Sequence, residues 1–510
     1  MSLFKRIIAL GGAAVMTASC FTGCGNGDNK TEGGVKELSA YLYFSPTAYT
    51  DSMPIWKEAE KKTGIRLKSV VSTINSNESA AYSTMLAGDK LPDIIRSGHG
   101  NLRELASDGG LVPLDDYIEK CAPNIKKFFE ACPEAEKVAT MEDGHIYFIP
   151  GSLSGLDSDG SPSAGFFIRQ DWLDKLGLST PTTIEEYYNV LKAFKNNDPN
   201  GNGLKDEVPY FARGKNLKGL LQLFDTNDDT VLRENGTVEY GPMTEKYKTA
   251  MKELQKWYKE GLIDSEIFSR SNAREQLLGQ NLGGSTVDWF SSTSKYNETY
   301  ADAVHGLNFV AMLPPKNVSG EVKSMVGREK LHWYGWGISS SCDKKNYEDI
   351  VKYFDFWMSE EGQTLMSYGV KGLSYDEDGN GNKVWSDEAK AYADGIPNYL
   401  RSIGYAEIGT IGNLDSEKSA MNDIGRKGFE MYEGIIAPIF PTVAYTDEEN
   451  DTINSCKTNI DTAVKEQQQK WIFGEADVDA TWDSYISTLK KMGADKLVKV
   501  YNDGYSRMYK

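Results

Sequence analysis

Positive charge is in short supply: 56 Lys and Arg stand against 74 Asp and Glu, a formal net charge of −18, and no basic cluster offsets it. Such a chain repels a phosphate backbone or an anionic lipid surface, which sets nucleic acid aside as a partner. Histidine is scarce as well, and His99, His145, His305 and His332 fall in no zinc-binding spacing. There is no Gly-Lys-Ser/Thr phosphate loop, and Gly151-Ser152-Leu153-Ser154-Gly155 puts Leu where a nucleophile elbow needs Ser. Paired carboxylates are plentiful, but among 74 acidic residues they single out no glycosidase pair. Past its first residues the chain has no apolar run near the roughly 18 to 20 residues that span a bilayer. Of the six cysteines, Cys121 and Cys132 can pair only if Pro123 breaks the helix between them, since one continuous helix would hold them about 16 Å apart.

What is present begins with an export signal. Lys5 and Arg6 precede an apolar run over 7–16, then small residues and two cysteines. Phe21-Thr22-Gly23-Cys24 resembles a bacterial lipobox, in which the cysteine is diacylated and becomes the mature N-terminus; Thr17-Ala18-Ser19-Cys20 is the weaker competitor. Cys24 is therefore the expected lipidation site, with residues 1–23 removed and 24–36 a Gly/Asn/Asp/Lys tether. The remainder is long enough for two or three domains. It carries 28 Tyr and 10 Trp, more aromatic surface than a core of this size requires.

The most specific stretch is Asp198-Pro199-Asn200-Gly201-Asn202-Gly203-Leu204-Lys205-Asp206-Glu207. A hard cation wants about six to eight oxygen ligands on a sharply curving backbone. Asp198, Asn200, Asn202, Asp206 and Glu207 supply side-chain oxygens, Leu204 a carbonyl, and the glycines the curvature. The fit to an EF-hand is partial: the twelfth position is Pro209, so Asp206 and Glu207 must replace the usual closing Glu. Structural calcium is the expected occupant; the alternative is a polar Gly/Asn turn ending a helix. At Asp376-Glu377-Asp378-Gly379-Asn380-Gly381-Asn382 the Asn-Gly step favours a β-turn over a second metal site.

In order, the chain alternates strands and helices: a half-buried strand over 37–45, a helix ending at Lys61-Lys62-Thr63-Gly64, a strand over 65–71, a helix over 80–87 and a strand over 91–95. That is an α/β pattern with a largely parallel sheet, whose ligands bind at the carboxyl ends of the strands. A strand over 144–150 leads to a Ser/Gly/Asp-rich link, and 166–169 crosses into a second lobe. Thr183 to Glu186 form a capping box, and Ile184, Tyr187, Leu191 and Phe194 recur at helical spacing. A short strand after Gly283-Gly284 ends at Trp289 beside a polar loop, 307–313 and 332–338 look like strands returning to the first lobe, and the rest is mainly helical.

These residues resemble a family: extracellular solute-binding protein family 1, the lipoproteins of bacterial carbohydrate importers, similar to alginate-oligosaccharide-binding proteins and distantly to maltose-binding protein. The resemblance rests on Lys62-Thr63-Gly64-Ile65, the run from Gly88-Asp89-Lys90 through Leu91-Pro92-Asp93-Ile94-Ile95, the run from Arg169-Gln170-Asp171-Trp172 to Gly177-Leu178, the loop 198–207 and Ser359-Glu360-Glu361-Gly362. It implies an α/β, two-lobe, periplasmic-binding-protein-like fold of type II, with several hinge crossings, a helical C-terminal part and a sugar closed in the cleft between lobes. The expected organisation is 37–155 as the first part of the N-lobe, 156–306 as the C-lobe, 307–345 as the return and hinge, and 346–510 shared between lobes. The resemblance also implies structural calcium at the same loop, and points to Trp289 as a stacking aromatic and His99 as a polar contact.

Sugars present apolar C–H faces and equatorial hydroxyls, so aromatic platforms beside polar donors and acceptors are the recipe for holding them. Tyr43, His99, Arg169, Trp289, Trp333 and Trp336 can supply it. The expectation is a monomeric, non-enzymatic oligosaccharide receptor, held by lipid alone at the extracellular face of the cell membrane and serving the permease subunits of an ABC transporter. An acidic chain does not advertise the basic cleft a dedicated polyuronate binder needs. The alternatives are an extracellular carbohydrate-active enzyme and a glycan-sensing or adhesion lipoprotein.

Overall fold

A computed structural model describes residues 34–510 except 46, 72–76, 153–154, 157–159 and 394. The signal 1–23, Cys24 and most of the tether lie outside the described residues. The described residues form two compact units, divided as 1–157 with Leu331–Glu417 and 158–330 with Lys418–Lys510. Nine strands build the two main sheets: β1 Lys36–Tyr41, β2 Ile65–Ser69, β3 Ile94–Gly98, β4 Ile149–Ser152, β5 Ala164–Arg169, β6 Val208–Tyr210, β7 Gly283–Trp289, β8 Phe309–Met312 and β9 Leu331–Ile338.

In the first unit the strand order is β2-β1-β3-β9-β4. β1 runs parallel to β2 and β3, as the strand–helix alternation requires, while β9 is antiparallel to both its neighbours. The helix Pro54–Thr63 that links β1 to β2 has Pro in its first turn, Lys61 and Lys62 in its last, and stops at Gly64, whose φ of 71° is left-handed. The helix His99–Ser107 starts where β3 ends and buries Leu102 and Leu105. Helices Asp115–Cys121 and Pro123–Ala131 are separate, Pro123 opening the second, and no disulfide joins Cys121 to Cys132.

In the second unit the order is β8-β5-β7-β6, and every residue of β5 is buried. Helix Ile184–Asn196 turns Tyr187, Val190, Leu191 and Phe194 into the core. Its cap differs from the expected box: Thr183 accepts from the Glu186 amide, but the Glu186 carboxylate accepts from the amide and hydroxyl of Thr182. Helix Glu245–Lys259 buries Tyr247, Met251, Leu254 and Trp257, and the C-terminal helices add Trp471, Trp482 and Leu489 to that core.

The structure corrects two expectations. Residues 307–313 do not return to the first unit: β8 pairs antiparallel with β5, Phe309 opposite Arg169 and Met312 opposite Phe166, and the chain re-enters the first unit at Leu331. Aromatic packing fixes that pairing, since the Phe309 ring lies 5.5 Å from Phe167 and the Tyr432 hydroxyl donates to the Met312 carbonyl at 2.8 Å. The strand expected over 144–150 is confined to β4, because Gly144, at φ 84°, closes a turn in which the Met141 amide donates to the His145 carbonyl. The Asp378 segment forms the turn of a hairpin between Tyr375–Glu377 and Lys383–Trp385, its carboxylate accepting from the Asn380 and Asn382 amides.

Candidate functional site

The first unit carries a cavity of about 150 Å³ at the carboxyl ends of β1 and β3, where an open α/β sheet places its ligands. Arg96, at the middle of β3, lines it and is only 3 % exposed. Its Nε donates to the Glu407 carbonyl at 2.8 Å, and one terminal nitrogen to the Tyr43 carbonyl at 3.1 Å and the Glu78 carboxylate at 3.3 Å. The guanidinium lies 3.4 Å from the centre of the Tyr334 ring and 5.5 Å from that of Phe44. Tyr334 in turn donates its hydroxyl to Glu78 at 2.7 Å, and burial with this carboxylate pushes its phenol up to about 12. Burial alone would raise Glu407, but His332, at 3.5 Å, and Arg96 together hold its carboxyl below the usual range.

Of the aromatic residues singled out in the sequence, Tyr43 lines this cavity. Trp333 stands on β9 with 68 % of its surface exposed. Trp336, three residues on, is fully buried, stacked 4.7 Å from Phe354; strand alternation turns two such residues to opposite faces. His99 is buried against Phe148 with neither ring nitrogen bonded, and burial, aided by His332, drives it down to about 3, so it is neutral. Trp336 has no surface with which to meet a ligand, which corrects its expected contact, and His99 is buried where an exposed polar contact was expected.

The second unit presents Trp289 at the end of β7, 42 % exposed. The Arg328 guanidinium sits 5.8 Å from its ring centre, within cation–π range. Asp288 beside it is buried, accepts from the Trp289 amide at 2.7 Å and pairs with Arg274 at 3.3 Å. Burial raises the Asp288 carboxyl above its ordinary value despite that cation. Arg274 also donates to the hydroxyls of Ser292 and Thr293, which ties down the polar loop after the tryptophan. Arg169 is buried instead of facing a ligand: it pairs with Asp171, bonds Asn281 and covers the Trp172 ring at 4.3 Å, which corrects its expected role.

The loop 198–207 follows helix Ile184–Asn196. Asp198 takes φ 48°, Gly201 77° and Gly203 80°, the curvature a wrapping loop needs. Asp198 accepts from the amides of Gly201, Asn202 and Gly203, and the Asn200 and Asn202 amide groups donate to Asp206. Glu207 is 1 % exposed and neither of its carboxylate oxygens has a hydrogen-bond partner. Burial, with Asp206 and Asp198 nearby, pushes its carboxyl up. No three His, Cys, Asp or Glu side chains converge as a metal cluster among the described residues. The donors here are mixed carboxylate, amide and carbonyl oxygens. An unpartnered buried carboxylate in an all-oxygen loop fits a hard cation, which would supply the partner that Glu207 lacks.

Sequence reasoning missed Arg96, Glu78 and Glu407. Arg96 left a signal, a charge directly after the apolar pair Ile94-Ile95, but Glu407 lies 311 residues away and nothing local announces it.

The sequence model of a family described as bacterial extracellular solute-binding protein matches residues 45–364. The chain is 26 % identical to the fructooligosaccharide ABC transporter substrate-binding protein FusA of Streptococcus pneumoniae, covering 93 % of this chain and 90 % of the relative. It is similar in structure to alginate-binding protein AlgQ2 without calcium ion, at 33 % identity and a TM-score of 0.79 over 93 % of this chain and 99 % of that one. FusA in complex with kestose shares the fold at 24 % identity, with a TM-score of 0.74 over 92 % and 99 % of the two chains.

Proposed function

This chain belongs to the bacterial extracellular solute-binding protein family, and from that premise we propose that it captures an oligosaccharide for an ABC importer and performs no chemistry on it. One observation carries the reading: of ten tryptophans eight are buried, and the two left exposed, Trp289 and Trp333, are strand residues. An indole left exposed forgoes part of its burial and offers a flat apolar face on which a sugar ring stacks. The sugar-binding relatives support the same class of ligand. Tyr43 joins the two tryptophans as a proposed ligand residue.

Calcium is proposed as a structural ion. Asp198, Asn200, Asn202, Asp206, Glu207 and the Leu204 carbonyl would hold it, and it would compensate the buried Glu207 carboxylate; the AlgQ2 structure described as lacking calcium supports the reading. Lipidation at Cys24, export to the outer face of the membrane, delivery to permease subunits and a monomeric state complete the proposal. No helix among the described residues is long and apolar enough to cross a membrane. The test of capture is titration of the soluble chain with a panel of oligosaccharides. Saturable binding that weakens in Trp289→Ala and Trp333→Ala supports the proposal; binding indifferent to both substitutions removes the tryptophans from the site.

A further inference from the structure

We propose that the Arg96 cavity of the first unit takes one uncharged sugar ring, and that its internally paired charges reject a uronate there. The inference rests on the oligosaccharide reading and narrows it.

Size is the first argument. A cavity of about 150 Å³ matches one ring-sized group, as an engineered apolar cavity of about that volume takes benzene. A space of that size seats one ring of a sugar at a time. The lining includes the aromatic residues Tyr43 and Tyr405 and the hydroxyl-bearing Ser45 and Thr47, residue types suited to a sugar's C–H and O–H groups.

Charge is the second. Two cations, Arg96 and Arg401, and two carboxylates, Glu78 and Glu407, line the cavity, so its formal charge is balanced before any ligand enters. Most of the Arg96 guanidinium that an acidic sugar would seek is already engaged, and its second terminal nitrogen faces the Glu407 carboxylate at 4.0 Å. Arg96 is bonded to two carbonyls and to Glu78, and its face is covered by Tyr334. Both Glu78 oxygens are engaged too, by Arg96 and by the Tyr334 hydroxyl. Arg401 donates to Asn398 at 3.2 Å. A uronate would bring a third carboxylate toward Glu78 and Glu407, into a cavity whose two cations are already offset by two carboxylates, and would lose its hydration there, which is costly. The hydroxyls of a neutral ring can instead donate to the remaining acceptor sites of these carboxylates, which lose nothing by it.

The experiment is titration calorimetry of the full chain with neutral trisaccharides of fructose, glucose and galactose and with trigalacturonate, repeated on Glu78→Gln and Arg401→Gln after each is shown to melt cooperatively. The tightest neutral trisaccharide should bind at least about tenfold better than trigalacturonate, the size of a like-charge penalty. Removing a carboxylate in E78Q should shrink that ratio about fivefold, and removing a cation in R401Q should enlarge it about fivefold, as single half-buried charges act. Opposite signs separate electrostatics from damage to the fold, and if E78Q fails to fold, R401Q alone still decides. Trigalacturonate binding as tightly as the neutral sugars, or a preference that neither variant moves while sugar still binds, overturns the inference and leaves oligosaccharide capture standing. Absence of binding by every sugar overturns the parent reading, and this inference with it.

Discussion

Trp289, Trp333 and Trp336 show how residue type and role separate. The first two lie exposed and the third is sealed against Phe354, so truncation should act on different quantities. Trp289→Ala and Trp333→Ala should each weaken sugar binding by about 2 kcal/mol, roughly 30-fold, with melting unmoved. Trp336→Ala should instead cost about 3 to 5 kcal/mol of stability. Calorimetric titration and thermal melting on the same three variants check both halves; a large fall in melting for Trp289→Ala, with affinity kept, would make it a core residue. His99 gives a prediction in pH. Its folded value, about 3, lies below the ordinary 6.5, so the unfolded chain binds more protons between those limits. Its contribution to stability is therefore full above pH 6.5 and is lost as pH falls toward 3. Unfolding free energies of wild type and His99→Phe should diverge by about 1.4 kcal/mol per pH unit between about pH 6 and 4, the wild type losing more; parallel curves would show that the histidine titrates normally. The sequence named Tyr43 and the exposed tryptophans by their chemistry, but it also named Trp336, because chemistry alone carries no information on which strand face meets the core.

At the scale of the element, the loop 198–207 makes the sharpest prediction. If calcium supplies the partner that Glu207 lacks, chelation should lower the melting temperature of the wild type, and calcium at about 100 times its Kd should restore about 2.7 kcal/mol. Asp198→Ala should abolish that response. A wild type whose melting ignores both chelator and added calcium would reduce the loop to a turn. Helices were readable from local signals: Gly64 stops one, Thr183 caps another, and the 3.6-residue spacing of Tyr187, Leu191 and Phe194 picks out a buried face. Strand partners were not. β8 reads alike whichever sheet it joins, and what decides is a non-local fit, Phe309 on Phe167 and Tyr432 reaching Met312.

At the scale of the whole molecule, two α/β units on one chain were legible from the alternation of strands and helices, whereas the points of return, Leu331 and Lys418, were not, because they depend on contacts distant in sequence. Cys24→Ala, expressed in a bacterial cell, should release the protein from the membrane fraction with its sugar affinity unchanged; retention in that fraction would turn attention to Cys20. The central claim is capture without chemistry. Titration calorimetry with an oligosaccharide that binds tests it most directly, because a receptor and an enzyme diverge once the site is saturated. The heat should saturate at one equivalent and return to baseline after each injection. A steady heat flow that continues after saturation, with shorter sugars accumulating in the cell, would contradict the account and mark the chain as an enzyme.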